Sequence, residues 1–464
     1  MKEIIKKHIL PDRTDIRWCI KFCLSMAAPL IILMYRPIGL NMRQSGVLAG
    51  VLLTIIWWSA NIVKKIPASI FLVGVFCIVS GADYGEIFSF PLSETFPMLV
   101  VTYLFSQAIS NVGILEKIIQ PILAKLVHTP LQCVIAVVAV FFLMMYVVPQ
   151  PLARLIIVAA MFDHFLKKTT LPQETRKVLM YSVFLFYAVV NMSSKDADMI
   201  MNYVAASFSD TVITNGVWIR GMFIPTLITC CLVILLFSLL FRKQMIGCQI
   251  CMEKKAEAVA FSRQQKISAG IIFATVVLWM THSIHGINNT LVTLIAVVFL
   301  FVAGSLKKED FKSIDVTTLI FLTAAFAIGG VMDACGAADK VFGLFSDIFP
   351  ASFSMGYVVI MIGISMALHM ILGSNTTTLS VVVPGMMILC GKMVPSPVIV
   401  FIAVISVSFH AVLPFHSVSM MIGASDGYFP SKYVTRFGIP ATILVYLAVI
   451  GIYIPYWKLV GFLS

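Results

Sequence analysis

The stretch Leu372-Gly-Ser-Asn-Thr-Thr-Thr-Leu379 sets one Ser, one Asn and three Thr between two strongly apolar segments. Backbone that leaves a helix inside an apolar medium is tolerated only where protein or a cavity satisfies it. Ser374, Asn375 and Thr376 stand where a second helical leg begins, so their side chains can cap its first turn. Thr377 continues the same polar cluster. Unpaired N–H groups and the positive end of a helix dipole make such a turn a ready anion site. A polar hairpin turn without a ligand is the plain alternative.

A second candidate is Val147-Val-Pro-Gln-Pro-Leu-Ala-Arg154. The Gln150 amide can donate to a carboxylate, and Pro151 suits the first position of the half-helix that follows. Arg154 lies about one turn in, where a cation is costly unless it meets an anion or water. Its fork of donors matches a carboxylate. A cytoplasmic surface or Asp163 are its alternative partners. Two further apolar runs are interrupted by polar residues, at Asn191-Met-Ser-Ser-Lys-Asp-Ala-Asp198 and at Pro414-Phe-His-Ser-Val-Ser419. Ser193, Ser194, Lys195, Pro414, His416 and Ser417 are the residues of interest in these two interruptions. Lys195 has Asp196 and Asp198 as alternative partners. The imidazole of His416 can change charge near neutral pH. His369 and His410 read as core histidines outside the site.

What must position these residues is a membrane-embedded helical frame. Of 464 residues, 60% are hydrophobic and 12% charged, with a mean hydropathy of +1.00. A soluble chain carries roughly a quarter charged residues. Apolar runs of about 20 residues, each able to cross a bilayer core, recur from 18–35 through 437–458. The first is read as a retained helix and not a cleaved signal peptide, because no small-residue cleavage site follows it. Lysines and arginines gather in short loops. Their alternation fits an all-α integral membrane fold of about eleven spanning helices plus re-entrant hairpins at 131–166 and 353–391. That threading puts the N-terminus in the cytoplasm, with Lys64/Lys65 and Lys307/Lys308 in cytoplasmic loops, and the C-terminus outside a cell membrane, plasma or inner.

The chain then divides into 1–44, a repeat at 45–241 with an inward hairpin and a broken helix at 178–206, a cytoplasmic linker at 242–266, and a repeat at 267–464 with an outward hairpin and a broken helix at 397–425. Ser106 to Lys117 parallels Ile328 to Lys340, each an apolar helix end leading to a glycine with a lysine four residues on. Halves with odd numbers of spans sit inverted, the architecture of secondary transporters with a midplane substrate.

Other classes are disfavoured. The net charge of +12 lies in loops at the membrane surface, so lipid and not nucleic acid is the expected neighbour. There is no GxxxxGK[ST] for a pump and no HExxH for a zinc protease. Cys248 and Cys251 form a CxxC without a second ligand pair, so no metal is expected there.

Ser374-Asn375-Thr376 resembles the Ser-Asn-Thr hairpin tip of the divalent anion:sodium symporters, the dicarboxylate and citrate carriers. The resemblance covers nearly the whole chain and includes Ser408-Phe-His-Ala-Val-Leu-Pro414 before the second broken helix. It implies an elevator-type homodimer without enzymatic activity. It also implies a small di- or tricarboxylate held by the Asn and Thr of each tip, with sodium near Ser374 and Asn375. Sulfate or arsenite carriers of the wider superfamily are the alternative. The first tip departs from the pattern, since it lacks Ser-Asn-Thr. The broken helices depart too, with Lys195 and His416 near the positions expected for sodium, so the resemblance implies Ser193, Ser194, Lys195, Pro414, His416 and Ser417 as the residues that hold a coupling ion or compensate charge. A fixed cation there can replace the ion, which points to exchange or proton coupling with weakened sodium dependence.

Overall fold

The computed structural model describes residues 16–60, 62–251, 261–343, 354–372, 374–391, 393–413 and 416–463. Helices follow the apolar runs, and no strand occurs among the described residues. The first half contains α1 (Ile16–Tyr35), α2 (Met42–Ala60), α3 (Lys65–Val75), α4 (Thr95–Val112), α5 (Ile114–Leu126), α6 (Pro130–Val147), α7 (Pro151–Lys167), α8 (Gln173–Val190), α9 (Met201–Ser207) and α10 (Asn215–Leu240). The second contains α11 (Arg263–Met280), α12 (Asn289–Val302), α13 (Val316–Ala334), α14 (Ala337–Gly343), α15 (Met355–Leu372), α16 (Asn375–Cys390), α17 (Ser396–Ser408), α18 (Val418–Ser425) and α19 (Lys432–Ala448).

Among the described residues, six helices are long and apolar enough to cross a membrane, or seven if the bent pair Thr95–Val112 and Lys117–Leu126 is one span. The protein is therefore an all-helical, multi-pass membrane protein. A count near eleven requires the shorter apolar helices, such as Asn289–Val302 and Ser396–Ser408, to serve as spans as well.

Local sequence sets the helix ends. Thr129 accepts a hydrogen bond from the Gln132 N–H, Gln132 reaches back, and Pro130 starts α6 without a wasted donor. Ser262 and Gln265 repeat the device at α11. Gly113 (φ +62°) and Gly336 (φ +67°) adopt the left-handed conformation that stops α4 and turns the chain from α13 into α14. Past Gly113 the chain bends by 66° into α5. The order of helix, glycine, short helix, helix pair, broken helix and long helix occurs in both halves.

The breaks have local causes. Asn, Ser and Asp side chains compete for backbone partners and so end helices. After α8 the chain makes two 3-10 turns, Asn191–Ser193 and Lys195–Asp198, before α9. Carbonyls freed there find donors. Asn202 Nδ2 donates to the carbonyls of Asn191 (2.9 Å) and Ser194 (3.0 Å), and Trp218 Nε1 donates to Met192 (2.9 Å). The second break separates α17 from α18. Gly438 of α19 packs against the backbone of Ala411 and Val412 there, so closely that a Cβ has no room.

Two apolar cores organise the fold. One joins α6, α7, α8, α10, α15, α16, α17 and α19, and is rich in rings around Tyr181, Phe237 and Tyr433. The other joins α2, α3 and α13 through Trp58, Leu72, Leu322 and Phe321. The site lies between them.

Candidate functional site

One cavity, about 220 Å³, brings the breaks and the turns together. Pro151 and Leu152 of the first turn and Ser374, Asn375 and Thr376 of the second line it. Asn191 and Asp198 enter from the first break, Ser408 and Ser417 from the second, and Lys65, Asp315, Thr318 and Phe321 from α3 and α13. A larger hollow of about 500 Å³ lies between α2, α13 and α16, but its walls are mainly Leu48, Val51, Ile55, Pro384 and Ile388. Apolar walls of that kind suit lipid tails and not an anion.

Ser374 is the N-cap of α16, and its side chain makes no capping bond. Thr378 N–H is the first to bond back, to the Ser374 carbonyl at 2.8 Å. The N–H groups of Asn375, Thr376 and Thr377 thus begin the helix without intrahelical acceptors. Thr377 itself is buried, its hydroxyl donating to Ser374 Oγ at 3.2 Å.

The first turn is closed. Gln150 is buried, and its amide oxygen accepts the Ala153 N–H at the start of α7. That group caps the helix, and Gln150 is not part of the cavity wall. Arg154 is fully buried and also stands outside the wall. Its guanidinium donates to the Val148 carbonyl (2.9 Å), to Asn191 Oδ1 (2.7 Å) and to the Ala197 carbonyl. Neither alternative partner from the sequence reading is used, since Asp163 pairs with Lys167 at 2.7 Å. Arg154 is a brace between the first turn and the first break.

The charge-compensating candidates disperse. Ser193 donates to the Val190 carbonyl, and Ser194 donates to Asn215 Oδ1 at 2.9 Å on the wall of a different hollow. Lys195 lies over the Tyr203 ring and donates to the Ile213 carbonyl at 2.9 Å, facing a third hollow with Glu86 and Asp210. Asp196 accepts from Tyr203 and not from Lys195. Ser417 does reach the cavity and bonds Ser419 at 2.8 Å. Pro414 lies outside the described residues. His416 is buried, and its carbonyl accepts from His369 Nε2 at 3.0 Å.

His369, read from the sequence as a core histidine, ties the second turn to the second break. The same Nε2 lies 2.9 Å from Asn375 Oδ1, and the His369 ring packs on those of His410 and His416 at 5.8 and 5.7 Å. A histidine six residues before Asn375 was the available signal. Lys65 and Asp315 were also missed, because a charge rule assigns both ends of such loops to water.

Oxygens near the positions expected for sodium are engaged by side-chain nitrogens. In the first half, the oxygens of Val148, Asn191 and Ala197 already converge on a guanidinium. In the second half, Asn375 Oδ1 and the His416 carbonyl share the His369 imidazole. Each cluster joins a turn to a break through a side-chain nitrogen.

A family model described as the sodium:sulfate symporter transmembrane region matches residues 17–463. The chain belongs to that family, the divalent anion:sodium symporters. Membership in this family makes it a multi-pass membrane protein of anion-transport type. A search of curated proteins finds no match. The open second turn carries Ser374-Asn375-Thr376, and the closed first turn carries no Ser-Asn-Thr.

Proposed function

We propose that the protein is a secondary transporter that exchanges small dicarboxylates by alternating access and does not require sodium. One observation carries this reading. The open N-terminus of α16, with Ser374, Asn375 and Thr376, faces a cavity shared by both helix breaks. Helix N-termini with free N–H groups favour anions. Polar groups from several elements, Ser374 to Thr376, Asn191, Thr318 and Ser417, line the cavity, which supports an acid with more than one polar end. Sulfate, named in the family description, is the second reading. With Arg154 turned away from the cavity, the ground for a third substrate carboxylate falls.

The pairs α6–α7 and α15–α16 are read as re-entrant hairpins in inverted halves. Their turns lining one cavity with both breaks supports this, since a turn at a membrane face would not reach it. Side-chain nitrogens of Arg154 and His369 in the oxygen clusters support independence from sodium. The homodimer and the elevator movement rest on the family resemblance, and the boundary between the two cores is where such a slide would run. An N-terminus in the cytoplasm and a C-terminus outside rest on the loop charges.

Purified protein in liposomes loaded with succinate tests the proposal. Labelled succinate should enter in proportion to internal succinate, equally with and without sodium. A strict need for a sodium gradient overturns the sodium-free reading. Sulfate flux without succinate flux selects the second reading.

A further inference from the structure

Three charged side chains line the cavity, and two are already engaged. Asp198 Oδ1 accepts the N–H groups of Ile200 (3.1 Å) and Met201 (2.9 Å), and its Oδ2 faces Asn191 Nδ2 at 3.4 Å. Asp315 caps α13, accepting Thr318 N–H at 3.0 Å and Thr318 Oγ1 at 2.5 Å. Lys65 is different. It is half-buried at the start of α3, over the Phe321 ring at 5.3 Å, and within the field of Asp315. Among the described residues it has no carboxylate within 4 Å and its ammonium has no hydrogen-bond acceptor.

A half-buried ammonium in a polar cavity is poised for an anion, because partial desolvation strengthens its attraction to one. Its place in the fold matters as much. Lys65 opens α3 and stands over Phe321 of α13, and both helices belong to the α2–α3–α13 core, whereas α16, α8 and α17, which flank the Ser374–Thr376 turn and the breaks, pack mainly in the other. The cavity is therefore lined by the open end of α16 from one core and by a cation on a helix of the other.

From this we infer that Lys65 is the specificity-determining counter-ion for the second charge of the substrate, which selects dianions over monoanions. One carboxylate lies on the open end of α16, and the other meets the Lys65 ammonium across the cavity. The inference rests on the anion reading above and deepens it. It also assigns charge selection to α3, outside the Ser-Asn-Thr turn.

The test compares succinate with butyrate, which has the same chain length and one carboxylate, by thermal shift and by exchange in liposomes. Wild-type protein should prefer succinate. Lys65→Gln should weaken succinate binding on the order of 10- to 100-fold, the size of a charged hydrogen bond, and change butyrate less than about threefold. Lys65→Arg should keep most of the preference for succinate. An unchanged melting temperature of ligand-free Lys65→Gln establishes that it folds, and Lys65→Arg carries the comparison should Lys65→Gln be unstable. Equal succinate affinity in wild type and Lys65→Gln, or parallel losses for both acids, overturns the assignment while leaving anion transport intact. Wild-type protein that binds neither acid overturns the anion reading and this inference together.

Discussion

The two turns between paired helices, one before α7 and one before α16, differ in kind. At the second, Ser374 occupies the N-cap position without spending its hydroxyl on the cap, and the first N–H groups of α16 open onto the cavity. At the first, Gln150 plugs the end of α7 with its own amide, Pro151 removes a donor, and Arg154 ties the turn to the first break. The difference teaches that two similar turns can take opposite tasks: the first is a fixed joint, and the second leaves its end open for the anion proposed above.

Arg154→Ala tests the joint and should have the largest effect. It leaves the oxygens of Val148, Asn191 and Ala197 without their donor, and Asp198 loses the neighbouring positive charge. A loss of about 3–5 kcal/mol is expected on removing a buried ionic partner. Melting in detergent reads it, and the variant should be unstable with or without substrate. A stable Arg154→Ala that simply fails to bind succinate would move Arg154 back into the site.

Asn375→Ala tests the open turn. Insertion and melting temperature should stay near wild type, while succinate exchange falls roughly 100-fold, about 3 kcal/mol. Full exchange activity would end the role given to this turn. His369→Gln should act more mildly, since it loosens Asn375 without removing it. Exchange should fall about three- to tenfold, the range of a neutral hydrogen bond. An effect as large as that of Asn375→Ala would show that His369 contacts the anion directly. Sodium should have the smallest effect, no more than about a twofold change in exchange rate, because a ligand without differential affinity shifts no equilibrium.

Much of this organisation is legible in the sequence. Apolar runs mark α1 to α4, α6 to α8 and their counterparts, and the polar words at 191–198 and 374–377 mark the breaks and the open turn. Gly113 and Gly336 stand at matching places in the two halves, and both adopt a left-handed backbone. What stayed hidden depended on direction in space. The composition around Arg154 fits a ligand or a brace equally, and only the positions of three carbonyl-type oxygens decide. Ser193, Ser194 and Lys195 share a word with Asn191 and Asp198, but the 3-10 turns rotate them to other faces. Lys65 reads as a loop lysine beside Lys64, one residue too early for hydropathy to place it on a cavity wall. His369 looks like a core residue because its partners are five or more positions away.

The pairing of Arg154 with the first break has a consequence for membrane voltage. Its guanidinium and the Asp198 carboxylate are tied through Asn191 and cancel, so this part of the carrier is electrically silent. A dianion moving alone would then carry two uncompensated charges, and an interior-negative potential of 100 mV opposes each by about 2.3 kcal/mol. Trading one dianion for another moves no net charge at all. Under the exchange proposed above, a joint that brings no net charge leaves the trade independent of the membrane potential.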